Sequence, residues 1–83
     1  GESMIDALIN DGDIVLMEAT KSFQDGGVFA VWLKEENETT LKKVFREGDR
    51  VRLQPMNTQM EAFYTGADNI EVQGRVLGSI KSW

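Results

Sequence analysis

Positions 39–46 are Thr39-Thr40-Leu41-Lys42-Lys43-Val44-Phe45-Arg46, a stretch that mixes branched and aromatic residues with lysines. Such a composition over eight positions predicts a β-strand, in which successive side chains point to opposite faces. The odd-numbered face carries Leu41, Lys43 and Phe45, and the even-numbered face carries Lys42 and Val44. Each face therefore combines one lysine with apolar neighbours, and periodicity does not decide which lysine points toward a core.

The residues that follow predict a hairpin. Glu47-Gly48-Asp49 fits a tight loop, because glycine adopts the positive φ that such loops require. Residues 50–54 then alternate cleanly, which places Val51 and Leu53 inward and the two arginines outward.

Short strands with turn residues between them are predicted along the rest of the chain. The predicted strands cover residues 14–19, 28–33, 61–65, 70–73 and 75–81, with a possible bulge at Gly74. The predicted turns are Asp11-Gly12-Asp13, Asp25-Gly26-Gly27 and the segment that begins at Pro55. No apolar stripe with a period of 3.6 residues extends beyond ten positions. The sequence therefore predicts an all-β domain around one core.

Length and composition predict one small globular domain that covers residues 1–83. The chain is 41% hydrophobic and 28% charged, and no apolar run approaches the roughly 18 residues of a membrane span. It has no cysteine, which excludes disulfides and thiolate metal sites and fits a cytoplasmic protein. The net charge is −5 and the nine basic residues are dispersed, so we expect no direct contact with DNA.

Ser3 is the candidate nucleophile, and the chain offers it no histidine as a base. A serine hydroxyl is activated when a neighbouring base takes its proton, and lysine serves only as the neutral amine. An unperturbed lysine has a pKa of about 10.4, which burial among apolar residues lowers. A catalytic lysine must therefore lie on an apolar strand, and both Lys42 and Lys43 meet that condition.

Four segments, in order along nearly the whole chain, carry a resemblance to a known family. These are Gly1-Glu2-Ser3-Met4 with Asp11-Gly12-Asp13-Ile14-Val15, Thr40-Leu41-Lys42-Lys43-Val44, Leu53-Gln54-Pro55-Met56-Asn57, and Gln73-Gly74-Arg75-Val76-Leu77-Gly78-Ser79-Ile80. They resemble the nucleophile segment, the lysine strand, the Leu-x-Pro-x-Asn segment and the closing Gly-x-Val-x-Gly strand of the LexA and UmuD autopeptidases. The chain is thus similar to the C-terminal domain of LexA-type repressors.

The resemblance implies a serine–lysine peptidase that cuts its own polypeptide. Ser3 would be the nucleophile, Lys42 the general base and Thr40 the residue that orients the lysine amine, while backbone amides at Ser3 and Met4 would form the oxyanion hole. In this family the scissile bond lies upstream of the serine. An activated RecA–DNA filament accelerates cleavage in the DNA-damage (SOS) response, and an N-terminal helix-turn-helix domain binds the operator. The family requires no cofactor or metal.

The resemblance also predicts a small β domain of short, highly curved strands, similar to LexA and signal peptidases. In the family, further strands and a cleavage loop precede the Gly-x-Ser-Met segment. Since nothing precedes Gly1 here, we expect this piece to lack the usual first strands and not to cleave itself in cis.

Three alternatives remain open on the sequence. The domain could be a repressor module that forms homodimers without cleaving, through an edge formed by the final strands at residues 70–81. A signal peptidase fragment also pairs a Gly-x-Ser-Met segment with a strand lysine, although no membrane span accompanies it here. Asp11 and Asp13 could bind a metal, but two carboxylates without further ligands favour a turn.

Overall fold

The chain folds into one antiparallel sheet of six strands, which confirms the predicted all-β class. A computed structural model describes residues 14–55 and 60–80. The strands are β1 (Ile14–Ala19), β2 (Val28–Leu33), β3 (Glu38–Glu47), β4 (Arg50–Gln54), β5 (Phe63–Gly66) and β6 (Ile70–Ile80). Their order across the sheet is β1-β6-β2-β3-β4-β5, and a 3₁₀ turn (Ala67–Asn69) joins β5 to β6.

Two hairpins fix the register at the centre of the sheet. Strands β2 and β3 are joined by the loop 34–37, in which Asn37 adopts φ 56°, a left-handed conformation that asparagine tolerates. Strands β3 and β4 are joined by Gly48 and Asp49, and Gly48 adopts φ 68°. A positive φ at the first of two loop residues fits a type II′ turn, whose twist matches that of the flanking strands.

Most of the predicted strands have the observed boundaries. Residues 14–19, 28–33 and 50–54 agree with the structure, β3 is one residue longer at each end, and β5 begins two residues later than predicted. The two final strands are one continuous strand, β6, so the prediction of a break there is wrong. Gln73 is the extra residue in the pairing with β2, so a bulge lies one residue before the predicted position Gly74, and Leu77 is the extra residue in the pairing with β1. Extra residues at these two bulges bend the strand without ending it.

The sheet has two unequal faces. The core face carries seven buried side chains that form the main hydrophobic cluster: Phe29, Val31, Leu33, Val44, Val51, Leu53 and Val72. Phe23 and Ala67, which lie outside the strands, pack against this cluster and help to cover it. The second face carries a smaller cluster of Ala30 and Leu41, with Val15 and Val76 packed against them. One sheet therefore supplies nearly the whole core, and most of the buried apolar side chains lie on its core face.

Strand β6 is not the sheet edge that the sequence predicted. It lies between β1 and β2, pairing with β2 through residues 70–75 and with β1 through residues 74–80. The expectation of an edge along its whole length is therefore wrong. Within the described chain, however, residues 76–80 pair only with β1, so the opposite backbone edge of that half has no partner strand among the residues that the structure describes.

Asn69 connects the loop between β2 and β3 to strand β5. Its side chain is 6% exposed and donates hydrogen bonds to Glu36 Oε1 at 3.0 Å and Thr65 Oγ1 at 2.9 Å. Its Oδ1 accepts the backbone N–H of Glu35, and its carbonyl accepts that of Lys34, each at 2.9 Å. The buried side-chain amide of Asn69 fixes the loop, because moving the loop would leave its N–H and C=O groups without hydrogen-bond partners, which costs free energy.

Truncation of a core leucine should be far more destabilising than truncation of an exposed one. Leu53 is 1% exposed and Leu77 is 63% exposed. We expect Leu53→Ala to lower the free energy of unfolding by about 2–5 kcal/mol, since it removes buried methyl groups and leaves a cavity. The matched control Leu77→Ala, measured at a protein concentration at which the chain is monomeric, should change it by less than about 0.5 kcal/mol. Urea denaturation followed by tryptophan fluorescence measures both, and equal losses would contradict the assigned core.

Candidate active site

Strand β3 presents Lys42 on the core face of the sheet. Lys42 lies directly opposite Phe29 in the β2–β3 register, and Phe29 is part of the main hydrophobic cluster. Cross-strand partners in an antiparallel pair point to the same side of the sheet. The lysine is partly buried, and Val44, two residues further along the same face, is completely buried. The side chain of Lys42 therefore extends from the strand among apolar side chains and not from a solvated loop.

Thr40 holds the lysine amine. Lys42 Nζ donates a hydrogen bond of 2.7 Å to Thr40 Oγ1. The threonine is 4% exposed and lies opposite the fully buried Val31, so its hydroxyl has a fixed environment. A two-residue separation on a strand places both side chains on one face, which is the geometry that this contact requires. The hydrogen bond fixes the direction in which the amine points.

A cavity of about 220 Å³ opens beside this pair. The side chains that line it, together with Thr40 and Lys42, are Leu33, Leu53, Phe63, Glu36 and Glu38. Leu33 and Leu53 are buried, whereas Phe63 on the edge strand β5 is 41% exposed. The amine thus borders a space with an apolar wall and two carboxylates. Such a space can accept part of a polypeptide chain next to the lysine.

Lys43 occupies the other side of the sheet. It lies opposite Val28 on β2, in the pair next to that of Lys42 with Phe29, and opposite Gln54 on β4. Because the side chains of neighbouring residues in a strand point in opposite directions, the side chain of Lys43 lies on the second face. The two lysines that the sequence left equivalent are therefore distinct, and Lys42 is the one that shares a cavity and a hydrogen bond with Thr40.

Part of the predicted site lies outside the described residues. This holds for Ser3, for Met4 and for the turn Asp11-Gly12-Asp13. It also holds for Met56 and Asn57 in the Leu-x-Pro-x-Asn segment, of which the structure describes the first three residues. There, Leu53 belongs to the core and Pro55 is buried directly after β4. The structure thus brings Lys42 and Thr40 together, and the roles assigned to Ser3 and Met4 stay predictions.

Three residues that border the lysine were not predictable from the sequence. Glu36 and Glu38 belong to a charged loop and strand end, and Phe63 to a weakly predicted strand, so no pattern connects them with Lys42. Chain reversal at residues 34–37 and the pairing of β4 with β5 bring them to the cavity. Only the long-range register could have revealed these neighbours.

Two further features of the described chain bear on function. No group of three or more carboxylates suited to a metal ion occurs in residues 14–55 and 60–80. The same residues contain no helix with the length and hydropathy needed to cross a membrane.

Comparison with known sequences defines the family. The sequence profile of the Peptidase S24-like family matches residues 1–77, which is nearly the whole chain. The chain belongs to the Peptidase S24-like family, and it does so as a LexA-type C-terminal domain. The all-β sheet and the lysine strand agree with this assignment.

The relatives that support the LexA type are curated LexA repressors of several bacteria. The chain is 54% identical to the LexA repressor of Herpetosiphon aurantiacus over 82 residues, which are 99% of this chain and 38% of the relative. It is 51% identical to the LexA repressor of a Roseiflexus species over the same shares of the two chains. The LexA repressor of Thermotoga neapolitana is 39% identical over 83 residues, all of this chain and 39% of the relative. The chain thus spans about two fifths of the repressors it matches.

Proposed function

We propose that this chain is the peptidase domain of a LexA-like transcriptional repressor, in which Ser3 attacks a peptide bond upstream of it and Lys42 is the general base. The observation that carries the proposal is the 2.7 Å hydrogen bond between Lys42 Nζ and Thr40 Oγ1 on the core face. Family membership supports the reaction type, and the cavity beside Lys42 supports a polypeptide substrate.

The proposed reaction begins with the neutral amine. Lys42 takes the proton of the Ser3 hydroxyl as its oxygen attacks the scissile carbonyl carbon. Backbone N–H groups at Ser3 and Met4 stabilise the oxyanion that forms. The lysine ammonium then gives its proton to the departing amine, which leaves an acyl-serine. A water molecule then attacks the ester carbonyl carbon while the neutral lysine takes a proton from that water, and the ammonium returns the proton to the Ser3 oxygen as the carboxylic acid product leaves. One lysine thus acts as base and then as acid in each of the two steps.

Thr40 contributes orientation to these steps. A lysine side chain has four rotatable bonds, and an amine that samples many directions seldom meets the serine hydroxyl. The hydroxyl of Thr40 accepts one N–H and so favours a single direction for the amine. Because Thr40 is buried, the acceptor itself moves little.

The dyad predicts a specific pattern among lysine variants of the intact parent protein. Lys42→Ala should lower the first-order rate of self-cleavage by at least about 10²–10⁴-fold, since a general base contributes that much. Ser3→Ala should abolish cleavage. The matched control Lys43→Ala removes the adjacent lysine from the opposite face and should stay within about threefold of the parent. Gel electrophoresis of timed samples measures the rates.

Two outcomes of that experiment would reject the dyad. Cleavage by Lys42→Ala at the parental rate would remove Lys42 from the reaction. A loss in Lys43→Ala as large as that in Lys42→Ala would indicate a general structural effect instead of a base. Circular dichroism of each variant shows whether it keeps its β-sheet content.

Replacement of Thr40 by an isostere tests orientation without removing the base. Thr40→Val deletes the hydroxyl that accepts from Lys42 Nζ. We expect self-cleavage of the parent protein to slow by about tenfold, which corresponds to one hydrogen bond of about 1–1.5 kcal/mol. Thr39→Val is the control, because this exposed residue faces the other side of the sheet. Equal rates for both variants would contradict the role of Thr40.

Under the proposal, the remaining partners follow the family. A RecA–DNA filament would accelerate cleavage in the SOS response, DNA would contact only an N-terminal domain outside this chain, and the parent protein would act in the cytoplasm. The 83 residues themselves carry a net charge of −5, which supports the absence of DNA contacts in this part.

A second candidate function, homodimerisation of the repressor, is supported by the surface around the end of β6. Four apolar side chains there are about half exposed or more: Ile14 (56%), Leu16 (46%), Leu77 (63%) and Ile80 (51%). Residues 76–80 also carry the backbone edge that has no partner strand within the described chain. Two copies could pair through this edge about a two-fold axis and bury these side chains.

This surface predicts which exposed apolar residues matter for association. The double variant Leu77→Glu with Ile80→Glu should weaken dimerisation of the parent protein by at least about tenfold, because charged side chains would be buried in the interface. Met60→Glu is the control, since Met60 is 44% exposed and does not lie on β6. Sedimentation equilibrium measures the dissociation constants. A parent protein that is monomeric, or a double variant that dimerises normally, would contradict the assignment.

A further inference from the structure

A second cavity, with a volume of about 340 Å³, lies apart from Lys42. Three cationic side chains line it, Lys21, Lys34 and Arg46, together with a single carboxylate from Glu71. None of its lining residues lines the cavity beside Lys42. The three cations come from the segment before β2, from the end of β2 and from the end of β3, so only the fold brings them together.

The floor of this cavity is apolar. It is formed in part by Phe23, Ile70 and Val72, of which Val72 is 4% exposed and the other two are half-buried. The ring of Phe23 is fixed against Phe29, with ring centroids 6.2 Å apart in an edge-to-face arrangement. A rim of positive charge around a preformed apolar floor differs from the scattered lysines of an ordinary surface, which project into water.

Of the three cations at the rim, Arg46 is held in place by hydrogen bonds, and the two lysines form no ion pair within the described residues. Arg46 Nε donates to the carbonyl of Gly48 at 2.6 Å, and its backbone N–H donates to Asp25 Oδ1 at 2.8 Å. Neither Lys21 nor Lys34 forms an ion pair with another described residue. By contrast, Arg52 on β4 is paired with Glu47 at 2.6 Å. Three cations thus face one lining carboxylate, Glu71, with Asp25 bound to the backbone of Arg46, so positive charge is in excess here on a chain whose net charge is −5.

We propose that this cavity binds a segment of a partner protein in which acidic residues flank an apolar one. The carboxylates would pair with Lys21, Lys34 and Arg46, while the apolar side chain between them would cover Phe23 and Ile70. Both the cationic rim and the apolar floor of the cavity would then contact matching groups of the segment. The apolar contact supplies affinity that exposed ion pairs alone do not. The site is independent of the proposed peptidase chemistry.

A protein segment fits this cavity better than a nucleic acid does. The cavity has room for a few side chains, whereas a nucleic acid contacts a long basic surface through its phosphates. The rest of the chain carries the excess of negative charge, which repels a polyanion but tolerates a short acidic peptide. An aliphatic and aromatic floor also matches a leucine or phenylalanine side chain.

The test uses two fluorescein-labelled peptides and the parent protein. One peptide alternates glutamate with leucine, and the other alternates lysine with leucine. Fluorescence anisotropy at about 0.15 M salt measures binding to the parent, to Lys21→Gln with Lys34→Gln, and to the charge-reversed Lys21→Glu with Lys34→Glu. Lys43→Gln is the matched control, because it removes one lysine from the second face. All three substituted lysines, Lys21, Lys34 and Lys43, are at least partly exposed, so the fold should be unaffected.

The proposal expects the parent and Lys43→Gln to bind the acidic peptide with equal affinity. Lys21→Gln with Lys34→Gln should bind it about three- to tenfold more weakly, and the charge-reversed variant should prefer the lysine–leucine peptide. Binding that is absent in the parent, or that is the same in all variants, would overturn the proposal. So would tighter binding of single-stranded oligo-dT that depends on Lys21 and Lys34, or competition of the peptide with self-association, since either would assign the cavity to a different occupant.

Discussion

The structure depends on the antiparallel register between β2 and β3. This pairing sets Phe29 opposite Lys42 and Val31 opposite Thr40, so the lysine and threonine share the face that carries the main hydrophobic cluster. A slip by one residue would move every side chain of β3 to the other face and would bring Lys43 to the core. The register is maintained at one end by the loop with Asn37 in a left-handed conformation and by the hydrogen bonds of buried Asn69 to that loop. The position of the proposed base is therefore a consequence of packing and of loop geometry together.

The sheet separates three surfaces with different chemistry. The cavity beside Lys42, for which we propose a polypeptide substrate, combines one amine and two carboxylates with leucine and phenylalanine side chains. The cavity between Phe23 and Arg46 is cationic and suits an acidic segment. The exposed apolar residues at the end of β6 suit a second copy of the chain. No two of these surfaces share a residue, so the three proposed functions do not compete for the same side chains.

Strands and tight turns that depend on adjacent residues were predicted well from the sequence. Continuous apolar runs defined β1 and β2, and Gly48 defined the hairpin between β3 and β4, because short strands and tight turns depend on adjacent residues. Features that depend on residues far apart in the chain could not be predicted from the sequence. Lys42 and Lys43 have apolar neighbours on both sides, since Val44 packs in the main cluster and Leu41 in the smaller one, and only the register distinguishes them. Likewise, Lys21, Lys34 and Arg46 are dispersed in sequence and converge only in the fold. The assumption that a strand near the chain end is an edge failed because β1 pairs with β6.

The most direct test of this account is the side-chain proximity set by the β2–β3 register. Nuclear Overhauser effects measured on isotope-labelled protein report protons within about 5 Å, a distance that directly opposite side chains meet. The account predicts contacts between the methylene protons of Lys42 and the ring of Phe29, and between Lys43 and Val28. Contacts of Lys43 with Phe29 and of Lys42 with Ala30 would place Lys42 on the second face and would contradict the assigned register.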